Sequence, residues 1–372
     1  MIIKQQSLQG NRPPFRADQV GSLLRPDKIK QARLQKVNGD INAEQLRDIE
    51  NQEIKRIVEK QKELGLNAVT DGELRRSWWH FDFLENLDGV ERFEANSGLQ
   101  FQNQETKARG IKVTGKLDFS DHPMIEDFKF LKSIAGEHCA KMTIPSPSML
   151  RLRGDIQQGI YNDPEEFMHD LANAYKKAIR AFYDAGCHYL QLDDTAWAFL
   201  SSEEERERMR SQGTDPDELI ALYADTINKA VEDRPDNLTI TMHICRGNFR
   251  STWMYSGGYE PVAETLFDGI NVDGFFLEYD SDRAGDFNPL RFVKRKDLQI
   301  VLGLVTSKHS DLENPEEVKQ RINEAAHFVD LNQLCLSPQC GFASTEEGNI
   351  LTEEQQWAKL RHVVEIAQDV WK

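Results

Sequence analysis

Eight short apolar runs alternate with longer amphipathic stretches along this chain, and that rhythm limits its fold more than any other feature. The runs are Arg16 to Ser22, Ala68 to Glu73, Met142 to Pro145, Tyr189 to Asp194, Leu238 to Cys245, Gly274 to Tyr279, Ile300 to Val305 and Gln333 to Ser337. Strands separated by helices build a parallel sheet, and eight is the number that closes a barrel. The sequence therefore predicts an α/β fold, a (β/α)8 TIM barrel, with residues 1–372 as a single domain. Between the first two runs a helix is expected, with Asn42 as N-cap, Gln45 at its third position, and Leu46, Ile49, Ile57, Val58 and Leu64 near helical period before Gly65 stops it. Similar patterns occupy Pro164 to Ala185, Pro216 to Val231 and Pro315 to Val329. Residues 93–116 break the rhythm with alternating polarity around Gly110 and Gly115, which predicts a β-hairpin-like excursion beside the barrel.

Composition excludes several function classes. The formal charge of −16 repels polyanions, so nucleic acid is not an expected partner. No apolar run approaches the roughly 20 residues of a membrane span, so a soluble, cytoplasmic protein is expected. Five cysteines, an odd number, point to a reducing compartment and to metal or catalytic use of some of them. An anionic substrate would need a local basic patch, which Arg151 with Arg153, or Lys107, Arg109, Lys112 and Lys116, can supply.

The last third of the chain carries four soft-metal ligand candidates: His243, Cys245, Glu278 and Cys340. His243 and Cys245 are two apart in a β-branched run, so on a strand they share a face. Glu278 closes the run from Gly274, and Cys340 follows the run Gln333 to Ser337 across Pro338. All four thus lie at or just past the downstream ends of predicted strands, which in a parallel barrel converge on one rim. A strand cysteine is usually a small hydrophobe, and Cys139, Cys187 and Cys335 are read that way. Glu278 favours the metal, because a carboxylate closing an apolar strand is costly to bury without a cation. Two thiolates, an imidazole and a carboxylate suit zinc, and a zinc so ligated suits thiol activation.

The motifs RADQVGSLLRP, VTDGELRRSWW, LQLDDTA, TMHICRG, FFLEYD and LSPQCGF occur in this order at successive predicted strands. With them, the chain resembles the catalytic barrel of the cobalamin-independent methionine synthase family, and most of all its short single-barrel members. The resemblance implies a zinc cofactor on His243, Cys245, Glu278 and Cys340, and homocysteine bound by Ser22 at its carboxylate and by Glu73 and Asp193 at its ammonium. It also implies an acid near the methyl donor: His309 in LGLVTSKHSD, with Lys308 and Ser307 competing for that place and Asp193 as a second candidate. The residues have competing structural uses, since Ser22 can cap a helix near Pro26, Glu73 can pair with Arg75 or Arg76, and Asp193 or Asp194 can cap the next helix.

Two departures stand out. The N-terminal half of the long enzymes is absent, and the family's pterin-stacking tryptophan after the third strand is replaced by Met149 and Leu150. Trp78, Trp79, Phe81 and Phe83 form an aromatic cluster that can line the donor pocket instead. The implied function is zinc-dependent methyl transfer from a methylated folate, such as 5-methyltetrahydrofolate or a polyglutamylated form, to homocysteine, giving methionine. Its expected partners are these small molecules, with a homo-oligomer left open. The alternatives are a related alkyltransferase with another thiol or a simpler donor, a barrel metal hydrolase, which two cysteine ligands disfavour, and a non-catalytic thiol-binding homologue.

Overall fold

The computed structural model describes residues 12–95, 97–101 and 104–372. Its strands are β1 (Ala68–Val69), β2 (Asp88–Glu94), β3 (Gln100–Phe101), β4 (Gln104–Glu105), β5 (Arg109–Asp118), β6 (Cys139–Pro145), β7 (Gly154–Ile156), β8 (Tyr189–Asp194), β9 (Thr239–Ile244), β10 (Gly274–Glu278), β11 (Gln299–Val305) and β12 (Leu334–Pro338). Seven of them form one curled sheet in the order β1-β6-β8-β9-β10-β11-β12, with every neighbour parallel. This is the expected α/β barrel architecture, with helices such as Pro164–Asp184, Pro216–Val231, Pro315–Ala325 and Glu353–Val370 outside the sheet. No helix among the described residues is long and apolar enough to cross a membrane.

The eighth wall differs from expectation. Residues 16–22 form no strand and make one isolated parallel bridge, Ala17 to Leu336. The reason is local: the Asp18 carboxylate accepts the amides of Phe15 (3.0 Å) and Gln19 (2.7 Å), which a ladder would otherwise use. Side chains fasten the segment instead. Thr70 Oγ1 donates to Gly21 O at 2.7 Å and Gln191 Nε2 to Val20 O at 2.7 Å. Lys141, with its side chain fully buried, stands 3.4 Å from Asp18 Oδ1. The second expected strand is also shorter, ending at Val69, because Gln61 Oε1 takes the amide of Thr70 and the chain then turns through Gly72 at φ 65°.

The helix Ala43–Glu63 carries the capping box foreseen at Asn42 and Gln45 and ends one residue before Leu64 and the left-handed Gly65. In the sheet, alternate side chains separate two environments. Leu190, Leu192, Ile240, Met242, Phe275 and Leu277 join the large core beneath the helices. Gln191, Thr241 and Phe276 belong to the opposite face, where Phe276 packs with Val20, Val301 and Cys335. The excursion is present and wider than expected: β2 pairs antiparallel with β5, β7 adds to β5 in parallel, and β3 and β4 make a small hairpin.

Candidate metal centre and active site

Strand β9 carries His243, and Cys245 follows its last residue; Glu278 closes β10, and Cys340 lies two residues past β12. One donor atom from each residue falls within 4.8 Å of all the others. The two sulfurs are 3.5 Å apart. A tetrahedral site with metal–sulfur bonds of about 2.3 Å spaces two thiolates by about 3.8 Å, so the pair is already near the spacing a metal requires. All four residues are buried, and neither ring nitrogen of His243 has a protein partner among the described residues. A buried imidazole with two idle nitrogens is rare unless a ligand completes it. The donor set fits a soft divalent metal ion such as zinc.

The surroundings fix these donors. Glu278 Oε1 accepts the Arg246 amide at 2.7 Å, while its Oε2 faces Arg283 at 3.1 Å and Lys308 Nζ at 3.9 Å. The hydrogen bond from the Cys245 thiol, with help from His243 and Lys308, holds Cys340 well below the usual thiol range, and the same bond with burial pushes Cys245 well above it. A metal ion bound there would displace the proton the pair shares and hold both sulfurs as thiolates.

A cavity opens beside these ligands, lined by Ser22, Glu73, Asp193, His243, Cys245 and Cys340, with Trp79 and Ser344 at its edge. Ser22 caps no helix; its Oγ accepts the Ala343 amide at 3.3 Å. Glu73 makes a loose pair with Arg76, at 3.6 Å, while Arg75 turns away to Glu50 and Asp127. Thr143 Oγ1 donates to Glu73 Oε1 at 2.8 Å, and Glu73 Oε2 is buried without a partner. Glu73 also has φ 56°, a left-handed backbone that a side chain other than glycine tolerates only when its surroundings impose it. Of the two adjacent aspartates, Asp194 is the cap, accepting the amides of Ala196 and Trp197, which leaves Asp193 for the cavity. Burial pushes the Asp193 carboxyl up to about 7 against the pull of His243.

The histidine expected beside the donor stands apart from both cavities. His309 is exposed and lines neither this cavity nor its neighbour. Ser307 is anchored by its amide to Gln339 Oε1 at 2.6 Å and by its hydroxyl to Gly341 O at 3.0 Å, and Lys308 is the residue that turns inward. Of the aromatic cluster, Trp78 and Trp79 line the neighbouring cavity, while Phe81 and Phe83 belong to the core. Thr143 and His80 were not singled out in the sequence. A threonine inside a buried strand, and a histidine inside an aromatic run, were the available signals.

The model of the "Cobalamin-independent synthase, Catalytic domain" family matches residues 15–369. The chain belongs to this family. It is therefore a methyltransferase of the methionine synthase type. Among members of the cobalamin-independent synthase family, it is 68% identical over 371 residues to the uncharacterized protein YxjH of Bacillus subtilis, covering 100% of this chain and 98% of that one. A Listeria monocytogenes protein, crystallised under the provisional description of a vitamin-B12-independent methionine synthase, is 52% identical with a TM-score of 0.80, over 96% of this chain and 98% of that one. The methionine synthase of Sulfolobus acidocaldarius is 23% identical over 327 residues, 87% of this chain and 84% of that one.

Proposed function

We propose that the protein transfers a methyl group from a methylated folate to the thiol of homocysteine, with zinc held by His243, Cys245, Glu278 and Cys340, and releases methionine. One observation carries this reading: four potential metal ligands converge, and three of them, His243, Cys245 and Cys340, line a cavity that Ser22, Glu73 and Asp193 line as well. A zinc ion there would lower the pKa of the incoming thiol and keep its sulfur nucleophilic, since two thiolates and a carboxylate make it a weak Lewis acid toward water.

The chain's own residues supply the grip. Glu73, with one idle carboxylate oxygen, and Asp193 take the ammonium, and Ser22 takes the carboxylate of the amino acid. An ammonium beside Asp193 would bring its carboxyl back toward the ionised form. The reaction breaks an N–CH3 bond and forms an S–CH3 bond, and the proton lost by the thiol ends on the leaving nitrogen. Of the two acids suggested by the sequence, Asp193 stands in the cavity and is the better placed to relay that proton. Holding the two reactants in line removes a large part of the entropic barrier. The free thiols of the metal cluster suit a reducing, cytoplasmic setting.

The test is methyl transfer from mono- and polyglutamylated 5-methyltetrahydrofolate to homocysteine, after chelation and after zinc is restored. Zinc-dependent methionine formation at about one metal per chain is expected. Full activity in protein freed of metal would refute the reading.

A further inference from the structure

Lys308 stands against the metal ligands with its side chain 2% exposed and its Nζ 3.9 Å from Glu278 Oε2. That ammonium has no hydrogen-bond partner among the described residues. A lysine is almost never buried unpaired, because an isolated ion out of water is costly. Glu278 alone does not answer for it, since the same carboxylate already accepts the Arg246 amide at 2.7 Å and the Arg283 guanidinium at 3.1 Å. The loop after β11 is fastened so that this side chain turns inward. The Ser307 amide donates to Gln339 Oε1 at 2.6 Å and its hydroxyl to Gly341 O at 3.0 Å, Asn349 Nδ2 donates to Ser307 O at 2.8 Å, and the Lys308 amide donates to Thr306 Oγ1 at 3.2 Å. None of these bonds is made by a metal ligand.

We propose that Lys308 is the counter-charge of the metal centre, a positioning residue that lets the site hold the substrate's sulfur as a thiolate. The inference rests on the functional reading above and deepens it by naming the residue that sets the charge state of the acceptor. The charge count carries it. A divalent ion among two thiolates, a carboxylate and an imidazole leaves one net negative charge, and a third thiolate makes two. Gathering like charge out of water opposes the arrival of that third sulfur.

The neighbouring cations answer only part of this charge. Arg283 shares its Nη2 between Glu278 at 3.1 Å and Asp280 at 3.4 Å. Arg246 turns its guanidinium onto the Tyr259 ring, 4.5 Å from the centroid, and meets Glu278 through its backbone amide. Lys308 pairs with no carboxylate other than Glu278 among the described residues, so its charge is free to meet that of the substrate. It also draws the thiols of Cys245 and Cys340 toward the thiolate. The substrate's S–H bond breaks as its sulfur joins the centre, and the proton leaves by the Asp193 relay described above.

The experiment compares homocysteine with methionine, which has the same amino-acid end and a sulfur with no proton to lose. Calorimetry gives the Kd of each on the zinc-loaded wild type, Lys308→Met, Lys308→Gln and Lys308→Arg, and competition with a chromophoric chelator gives the zinc Kd. Both uncharged variants should bind homocysteine at least about tenfold more weakly, the effect of removing one nearby cation from an acid, with the methionine Kd unchanged. Their zinc Kd should rise roughly 10- to 100-fold, and Lys308→Arg should recover most of both losses. The apolar and the polar replacement test the same charge, so either one that folds decides the outcome. Equal losses for homocysteine and methionine would assign Lys308 a purely structural role and overturn the proposal. Unchanged homocysteine and zinc Kd in the uncharged variants would overturn it as well, and both results leave the functional reading standing. A zinc-loaded wild type that binds no homocysteine overturns the functional reading and this proposal with it, and is recognised without any variant.

Discussion

Cys245 and Cys340 hold their sulfurs 3.5 Å apart although 95 residues separate them in the chain. One follows β9 and the other follows β12, so only closure of the curled sheet brings them together. Cys340→Ser should lower zinc affinity at least about 100-fold, because a neutral hydroxyl replaces a thiolate ligand. Metal content after dialysis against a competing chelator measures this. Retention of a full equivalent of zinc would remove Cys340 from the ligand set.

Glu73, proposed above to hold the ammonium, has a strained backbone at φ 56°. Glu73→Gln removes the charge and keeps the shape, so the homocysteine KM should rise about 10- to 100-fold, the range for a lost charge-assisted hydrogen bond. Glu73→Gly also relieves the left-handed strain, of order 1 to 2 kcal/mol, and removes a buried carboxylate. It also strips the buried Arg76 of its counter-charge at 3.6 Å, a larger loss, so that variant should melt lower than the wild type and be almost inactive. Calorimetry and steady-state kinetics on the two variants separate the effects.

Gly341 leaves no room for a side chain, since a Cβ there would lie 2.0 Å from Ser22 Oγ. Gly341→Ala should displace Ser22 and raise the homocysteine KM, with zinc content unchanged. An unaltered KM would show that Ser22 does not grip the amino acid.

Lys141 and Asp18 form an ion pair with both side chains fully buried. Lys141→Met leaves Asp18 charged and alone, a loss expected to cost about 3 to 5 kcal/mol. Lys141→Met combined with Asp18→Asn should recover much of it. Urea unfolding of the single and double variants tests the coupling; additive losses would mean that the two residues do not act as a pair.

His122 makes acid stability predictable. Its Nδ1 accepts the Met124 amide at 3.2 Å and Nε2 donates to Phe83 O at 3.0 Å, so the ring caps the helix Pro123–Ala135 only while neutral. Burial lowers its pKa to about 4 from an ordinary 6.5, outweighing the Phe83 bond. Because the folded value is depressed, its stabilisation is fully present above pH 6.5 and is lost as pH falls toward about 4. The whole window is worth roughly 3 kcal/mol by linkage. His122→Asn keeps a capping oxygen and removes the titration, so its urea midpoint should fall less than the wild type's between pH 7 and pH 4.5.

The sequence was most legible where periodicity and chemistry agreed. The Asn42–Gln45 capping box and the four ligands at strand ends follow from spacing alone, because a two-residue step on a strand and a fixed rim leave little freedom. The eighth wall was not legible, because Asp18 reads as an ordinary residue of an apolar run until its carboxylate is seen to take two backbone amides. Spacing alone did not separate Asp193 from Asp194; the resemblance chose Asp193, and strand parity followed only once β8 was in register with β9. The place of His309 was open for a similar reason: past Val305 no period constrains the loop, and the anchoring of Ser307 decides which neighbour faces inward.

The wall made of residues 16–22 touches β12 through one bridge, its Ser22 carbonyl accepts the Phe342 amide at 2.9 Å, and side chains pin the rest. Ser22 therefore rides on a stave joined to the sheet by isolated bonds, whereas His243 and Glu278 sit on continuous ladders. On the functional reading proposed above, loosening that stave would free the product's carboxylate while the ion's own seat stays rigid.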